Sequence, residues 1–188
     1  FTASGHSANT ATKTYRDLYA ILGETDTSIE AANLMAQLCD SEEELATWTD
    51  ICTGVYATFP DSIPIESFVE AANETAKVGQ VTGTLADALN WLGISEDEFN
   101  EKLKACSSEQ ERQDLIMNTL NGTYSKAAQK YREVNKDVME ANLAQARMTD
   151  AMAKLGAIVE PVVTKVKNAI ATVVDVFASM PAPIQKIV

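Results

Sequence analysis

The segment from Ser41 to Tyr56, SEEELATWTDICTGVY, carries the clearest helix pattern in the chain. Ser41 and Glu44 have capping-box spacing, in which the hydroxyl accepts a backbone N–H and the carboxylate returns to the cap. The acidic residues between and around them suit the positive end of a helix dipole. Apolar side chains then recur at helical spacing at Leu45, Trp48, Ile51, Cys52 and Val55. The segment therefore predicts a helix over residues 42–58.

Similar start and stop patterns recur on both sides of this segment. Capping-box spacing is also found at Thr27 with Glu30, Ser95 with Glu98 and Ser108 with Glu111. Pro64 suits a first helical turn. Glycines that follow apolar-periodic runs are expected to be left-handed C-caps, namely Gly23, Gly79, Gly93 and Gly122. Helices are predicted over 11–22, 28–39, 42–58, 65–78, 84–92, 96–105 and 108–121, followed by a long one.

The predicted fold class is all-α, because no segment shows the period-2 alternation of strands. A compact bundle of short helices would bury the apolar positions of the first part of the chain. Besides those of the 42–58 helix, these positions are Ile29, Leu34, Leu38, Phe68, Val69, Ala72, Leu85, Leu89, Trp91, Phe99, Leu103, Leu115, Ile116 and Leu120. Roughly a hundred residues suffice for a small helical core.

From Tyr124 to Met180 the chain follows a heptad pattern, whose a and d positions we call the seam. The a positions are Tyr124, Tyr131, Val138, Gln145, Met152, Val159, Val166, Val173 and Met180. The d positions are Ala127, Val134, Ala141, Met148, Leu155, Val162, Ala169 and Val176. Such a pattern predicts a long helix that packs along one side, with Gln145 as a register-setting polar layer. The packing is either a coiled coil between chains or a contact with the short-helix bundle, and the first is favoured.

Pro161 interrupts this heptad pattern, because proline removes a backbone hydrogen bond inside a helix. Either the helix kinks there, or one helix ends at Leu155 and another begins at Pro161. The unbroken heptad register favours the kink. The chain is thus divided into a linker or frayed terminus over 1–10, an acidic short-helix domain over 11–121 and a heptad-patterned stalk over 122–188.

Charge differs between these parts. The whole chain of 188 residues has a net charge of -12. Leu22 to Leu120 carries 20 acidic and 4 basic side chains, whereas Asn121 to Val188 carries 9 basic and 6 acidic ones. The acidic balance argues against nucleic-acid binding, which needs a positive footprint.

The residues offer no pattern for catalysis, so we expect no enzyme and no catalytic, cofactor-binding or metal-binding residues. Phosphate-binding glycine loops, nucleophile elbows and zinc motifs are missing from the sequence. His6 is the single histidine, and Cys39, Cys52 and Cys106 are expected to be free thiols. Glu66, Glu70 and Glu74 share a helix face, which is typical of a solvated surface. The stretch from Ala157 to Val188 is interrupted by charges and predicts an amphipathic helix rather than a membrane span.

Three stretches of the chain resemble phage tail tape measure proteins. The first is TGVYATFPDSIPIESFVEAANETAKVG over Thr53–Gly79, and the second is TLADALNW over Thr84–Trp91, followed by the acidic helix start at Ser95. The third runs from NGTY at Asn121 through YREVN at Tyr131 to AKLG at Ala153. The resemblance extends over residues 13–188.

This resemblance implies a structural role. The chain, which begins with Phe1 rather than Met, would be a fragment of a longer protein of long-tailed phages or prophages. Such proteins are made in the bacterial host cytoplasm, occupy the virion tail lumen in several copies, set tail length and leave the tail at genome ejection. The implied partners are further copies of the chain, three by analogy, and tail tube and distal tail proteins. The alternative is an interaction or delivery module whose C-terminal amphipathic helix engages a membrane or a partner protein.

Overall fold

The computed structural model describes residues 5–179, with side-chain burial beyond Ala153 described only at positions 157, 161, 164 and 168. This part of the chain forms eight α-helices and no strand, which confirms the all-α class. The helices are α1 (Ala8–Leu22), α2 (Thr25–Leu38), α3 (Glu42–Thr58), α4 (Ile65–Val78), α5 (Leu85–Trp91), α6 (Glu96–Ala105), α7 (Glu109–Val134) and α8 (Lys136–Ser179). The chain divides into two units, one ending at Leu143 and the other beginning at Ala144.

Three of the four predicted capping serines accept the expected bond, and Glu44 and Glu111 return to the N–H of Asp40 and Ser107, one residue before the cap. The hydroxyls of Ser41, Ser95 and Ser108 each accept the backbone N–H three residues later, at 3.2, 3.3 and 3.1 Å. The prediction at Thr27 is wrong, because α2 already begins at Thr25, one residue after its N-cap Glu24. The left-handed Gly23 ends α1 so abruptly that the next helix starts before the threonine is reached.

Glycine marks two helix ends as predicted but fails at a third position. Gly23 and Gly79 are left-handed C-caps with φ of 70° and 72°. Gly93 is also left-handed, with φ of 75°, but it lies one residue after Leu92, the C-cap of α5. Gly122, in contrast, lies inside α7, so the predicted stop there is wrong. The helix continues because Tyr124 and Ala128, both fully buried, pack its second half into the core. This burial outweighs the cost of a helical glycine, about 1 kcal/mol.

The start of the chain is more ordered than a linker. Ser7 caps α1 by accepting the N–H of Thr10 at 3.1 Å, and Thr10 itself is buried. The His6 ring lies 2.8 Å, Nε2 to oxygen, from the carbonyl of Cys39. The predicted linker over 1–10 is therefore wrong at its C-terminal end, and positions 1–4 lie outside the described residues.

The core is built around the contact between α3 and α7, with α4 beside them and α1 and α2 completing the bundle. Trp48 of α3 packs on Phe68 of α4 with ring centroids 6.3 Å apart. The hydroxyl of Tyr124 donates to the Ala88 carbonyl at 2.8 Å, which ties α7 to α5. At Gly54 the backbones of α3 and α7 come into direct contact, because a Cβ there would lie 2.6 Å from the Tyr124 carbonyl carbon.

Two residues predicted to be in the core are exposed. Ile29 is 46% exposed, because α2 turns its small residues and Met35 inward instead. Trp91, the last residue of α5, is 63% exposed. Hydropathy ranks isoleucine above alanine and serine, but close helix packing selects the smaller side chains on the inner face of α2.

Polar side chains from later helices terminate earlier ones. The carbonyls of the last helical turn have no partner within their own helix. Here they accept hydrogen bonds from residues 35 to 122 positions away in the sequence. The Asn142 side chain donates to the Ala20 carbonyl in α1, and the Gln113 side chain donates to the Gln37 carbonyl in α2. The Arg112 guanidinium donates to the carbonyls of Ala76 and Lys77 in α4.

The predicted boundary at 121/122 is not where the structure divides. The first unit reaches Leu143, and it includes all of α7. The predicted single long helix is instead two helices that meet at Asn135, the C-cap of α7. The second of these, α8, is continuous from Lys136 to Ser179 with Pro161 inside it, so the alternative of a helix ending at Leu155 is wrong.

All three thiols are free, as predicted. Cys39 and Cys52 are buried, and Cys106 is partly exposed at the end of α6. Burial raises the pKa of the Cys52 thiol, and burial together with the nearby Glu44 carboxylate raises the pKa of Cys39. Both buried thiols are therefore held protonated, which makes them poor nucleophiles and metal ligands.

Candidate interaction surface

The side chains of the seam pack against the bundle in α7 as far as Tyr131 and are exposed beyond it. Tyr124 is buried in the core, and Tyr131 packs edge-on against Tyr56 of α3, with ring centroids 5.8 Å apart. Val134 and Val138, the next two seam positions, are 69% and 51% exposed. Within the first unit, the predicted contact with the bundle therefore holds for the start of the seam and ends at Tyr131.

The exposed valines lie on a firmly tethered part of the first unit. The Arg132 guanidinium pairs with Asp50 at 2.7 Å and donates to the Thr53 hydroxyl at 3.3 Å. About two turns into α8, the Asn142 amide donates to the Ala20 carbonyl at 3.0 Å. These two links hold the end of α7 and the beginning of α8 on the bundle, while Val134 and Val138 face outward.

The second unit also leaves its described seam positions uncovered. Met148 and Met152 are 56% and 63% exposed, and Gln145 is exposed as well. Leu155, Val159, Val166 and the later seam positions lie outside the residues whose side chains are described. Each unit therefore presents seam side chains that nothing in its own described part covers.

Two clefts lie along α1 and α3, and the second also contacts Arg132 of α7 and Met139 and Leu143 of α8. They measure about 380 and 270 Å³ and share Lys13, Asp17, Ala46 and Thr49. The polar groups of the cleft walls bond to one another. Lys13 forms an ion pair with Asp17 at 2.7 Å, and the Thr10 hydroxyl donates to the Glu42 carboxylate. Such mutual pairing stabilises the cleft walls and leaves few groups directed at a ligand.

The carboxylates singled out in the sequence do not converge. Glu70 and Glu74 are exposed on α4, and Glu74 pairs with Lys77 at 3.3 Å. Glu66 is partly buried, with one oxygen that has no hydrogen-bond partner. Over the described range 5–179, no group of three or more His, Cys, Asp and Glu side chains could hold a metal ion.

Comparison with known proteins found no match: not to any family model, nor to curated proteins, nor to solved structures. In the described range, none of the helices combines the length and apolar character that crossing a bilayer requires. The surface features of this chain must therefore be interpreted from its own residues.

Sequence reasoning missed the two residues that fix where the seam becomes exposed. Asn135 ends α7 and donates from its side chain to the Tyr131 carbonyl at 3.0 Å. Asn142 caps α1 from 122 residues away. The first is a weak local helix-ending pattern that the strong heptad pattern obscures, and the second has no local pattern at all.

Proposed function

We propose that this chain is a structural part of a phage or prophage tail tape measure protein, without catalysis of its own. The observation that supports this best is the exposure of apolar seam residues in both units, from Val134 and Val138 to Met148 and Met152. Such residues are available for packing against other chains. The resemblance in sequence supplies the class, and an all-α chain suits it because a helix adds a constant 1.5 Å per residue.

The chain would be made in the bacterial cytoplasm and enclosed in the tail lumen. Its partners would be further copies of itself, with three as the expected number, and the tail tube and distal tail proteins. A negative surface over residues 22–120 would also repel the DNA phosphates that share this lumen.

The ruler function predicts a change in tail length when α8 is shortened. Removing residues 144–157, two complete heptads, should shorten the tails of the parent phage by about 21 Å, which is the helical length of the 14 deleted residues. Electron microscopy of negatively stained tails measures this difference over many particles. Val78→Asp, which keeps the chain length and changes an exposed residue away from the seam, is the matched control and should leave tail length unchanged. Tails of unaltered length after the deletion would contradict the proposal.

Self-association through the seam predicts a separate result. Val138→Asp and Met152→Asp should each weaken the oligomer by more than tenfold, because a charge at a coiled-coil a position loses hydration without gaining a partner. Sedimentation equilibrium measures the association. At concentrations where the chain is monomeric, neither substitution should lower the melting temperature by more than about 2 °C, since both side chains are exposed in the single chain.

The control for this experiment is Val78→Asp, because Val78 is 60% exposed but lies on α4, away from the seam. It should leave the oligomer intact. A monomeric wild type, or equal weakening by Val78→Asp, would contradict association through the seam.

A further inference from the structure

An open aromatic pocket lies between the C-terminal end of α3 and the short helix α5. It measures about 560 Å³ and is lined by Phe59, Ser62, Ile63, Asp87, Asn90 and Trp91. The Trp91 indole meets the Phe59 ring edge-on, with centroids 5.5 Å apart and planes at 77°. The two rings thus hold each other in place while Trp91 stays 63% exposed.

The exposure of Trp91 stands out against the rest of the aromatic core. The other tryptophan, Trp48, is fully buried, and so is Phe68 beside it. Tryptophan loses the most when a large apolar ring is left in water, and an exposed ring fixed by a neighbour typically marks a binding surface. The pocket is therefore a better candidate for recognition than the self-paired polar clefts along α1 and α3.

The chemistry of this pocket suits a positive charge. The face of an indole ring carries negative potential, which attracts ammonium and guanidinium groups. Asp87 precedes Trp91 by four residues in α5, so the two side chains lie on the same side of the helix. The lining contains no lysine or arginine that could already occupy this position.

We propose that this aromatic pocket binds a lysine or arginine side chain carried by a basic segment of a partner protein. Charge complementarity identifies the occupant, because Asp87 is the one acidic or basic residue among those that line the pocket, and its helix α5 contains no lysine or arginine. The Asp87 carboxylate attracts a basic side chain and disfavours a phosphocholine headgroup, whose phosphate would enter the same negative potential. This inference requires neither the seam nor the tail function.

The test uses a fluorescently labelled 12-residue peptide of lysines and alanines, with a norleucine-for-lysine analogue. Anisotropy is recorded with the full chain in 0.15 M salt, where long-range attraction is screened. The lysine peptide should bind, and the norleucine analogue should bind at least tenfold more weakly. Trp91→Leu should weaken binding of the lysine peptide roughly 3- to 10-fold, and Asp87→Asn by a similar factor.

Matched controls separate the pocket from general acidic attraction. Asp26→Asn removes the same charge from exposed Asp26 in α2, and Val78→Ala trims an exposed apolar residue outside the pocket. Both should bind as wild type does. Because Trp48 is buried, a shift in the emission of the wild type on peptide addition reports on Trp91. An unchanged melting temperature would show that Trp91→Leu is folded.

Several results would overturn the proposal. Equal losses in Asp87→Asn and Asp26→Asn, with none in Trp91→Leu, would mean unspecific attraction to an acidic surface. Binding to phosphatidylcholine vesicles that Trp91→Leu abolishes would assign the pocket to a lipid headgroup. Self-association that Trp91→Leu abolishes in sedimentation would assign it to a contact between copies of this chain. Absence of lysine-peptide binding would leave the pocket without this function.

Discussion

Replacing Gly54 by alanine should destabilise the first unit by about 3 kcal/mol, the upper end of typical overpacking costs. The added Cβ would lie 2.6 Å from the carbonyl carbon and 2.8 Å from the Cα of Tyr124, which are backbone atoms that no rotamer change can move aside. Relief requires separating α3 from α7, the central contact of the core. Chemical denaturation monitored by circular dichroism measures the loss as a lower midpoint.

Gly122→Ala is the matched control for this prediction. Gly122 is also helical, but nothing lies within 4 Å of a Cβ added there. Alanine should therefore stabilise the chain by about 0.5–1 kcal/mol through its better helix propensity. If Gly54→Ala were neutral or stabilising, the close approach of α3 and α7 would not exist as described.

Shortening the chain at its two proposed boundaries should give opposite results. A chain ending at Asn121 should fail to unfold cooperatively, because it lacks Tyr124, Ala128 and the half of α7 that they anchor. Truncating a single large buried ring costs about 3–5 kcal/mol, against a total stability of about 5–15 kcal/mol for a small domain. A chain ending at Leu143 keeps these contacts and the Asn142 bond to α1, and should fold.

Thermal unfolding followed by near-ultraviolet circular dichroism distinguishes the two shortened chains. The longer one should show a sharp transition and the shorter one a featureless slope. Full-length protein carrying Tyr124→Ala is the control for chain length, because it lacks the buried ring but no residues. It should resemble the shorter chain in its lowered stability. A cooperative transition in the chain that ends at Asn121 would restore the sequence-based boundary and contradict the structural one.

Local patterns predicted the helices well because capping and helix propensity act over a few residues. Ser41, Ser95 and Ser108 each bond within their own first turn, so spacing alone identifies them. Gly122 misled the prediction because whether a glycine ends a helix depends on what packs beyond it. Tyr124 fits the heptad and the core equally well, and only the fold decides between the two.

The candidate surfaces were less accessible to sequence reasoning. The heptad pattern includes Val138, Met148 and Met152, which are exposed, but it does not show where intrachain packing stops. The pairing of Trp91 with Phe59 joins residues 32 positions apart, and periodicity placed Trp91 in the core. Such contacts depend on the angles between helices, which no local pattern encodes.

The polar bonds that end the early helices also set an order of events during synthesis. Asn142 follows its acceptor in α1 by 122 residues, which a ribosome adds in about 6–24 s at 5–20 residues per second. Throughout that interval α1 lacks its final cap, whereas α4 and α2 can receive theirs once Arg112 and Gln113 have been added. The bundle should therefore stay incomplete until nearly all of its first unit has been translated. We therefore expect the nascent chain to aggregate more readily than a bundle assembled pair by pair from adjacent helices.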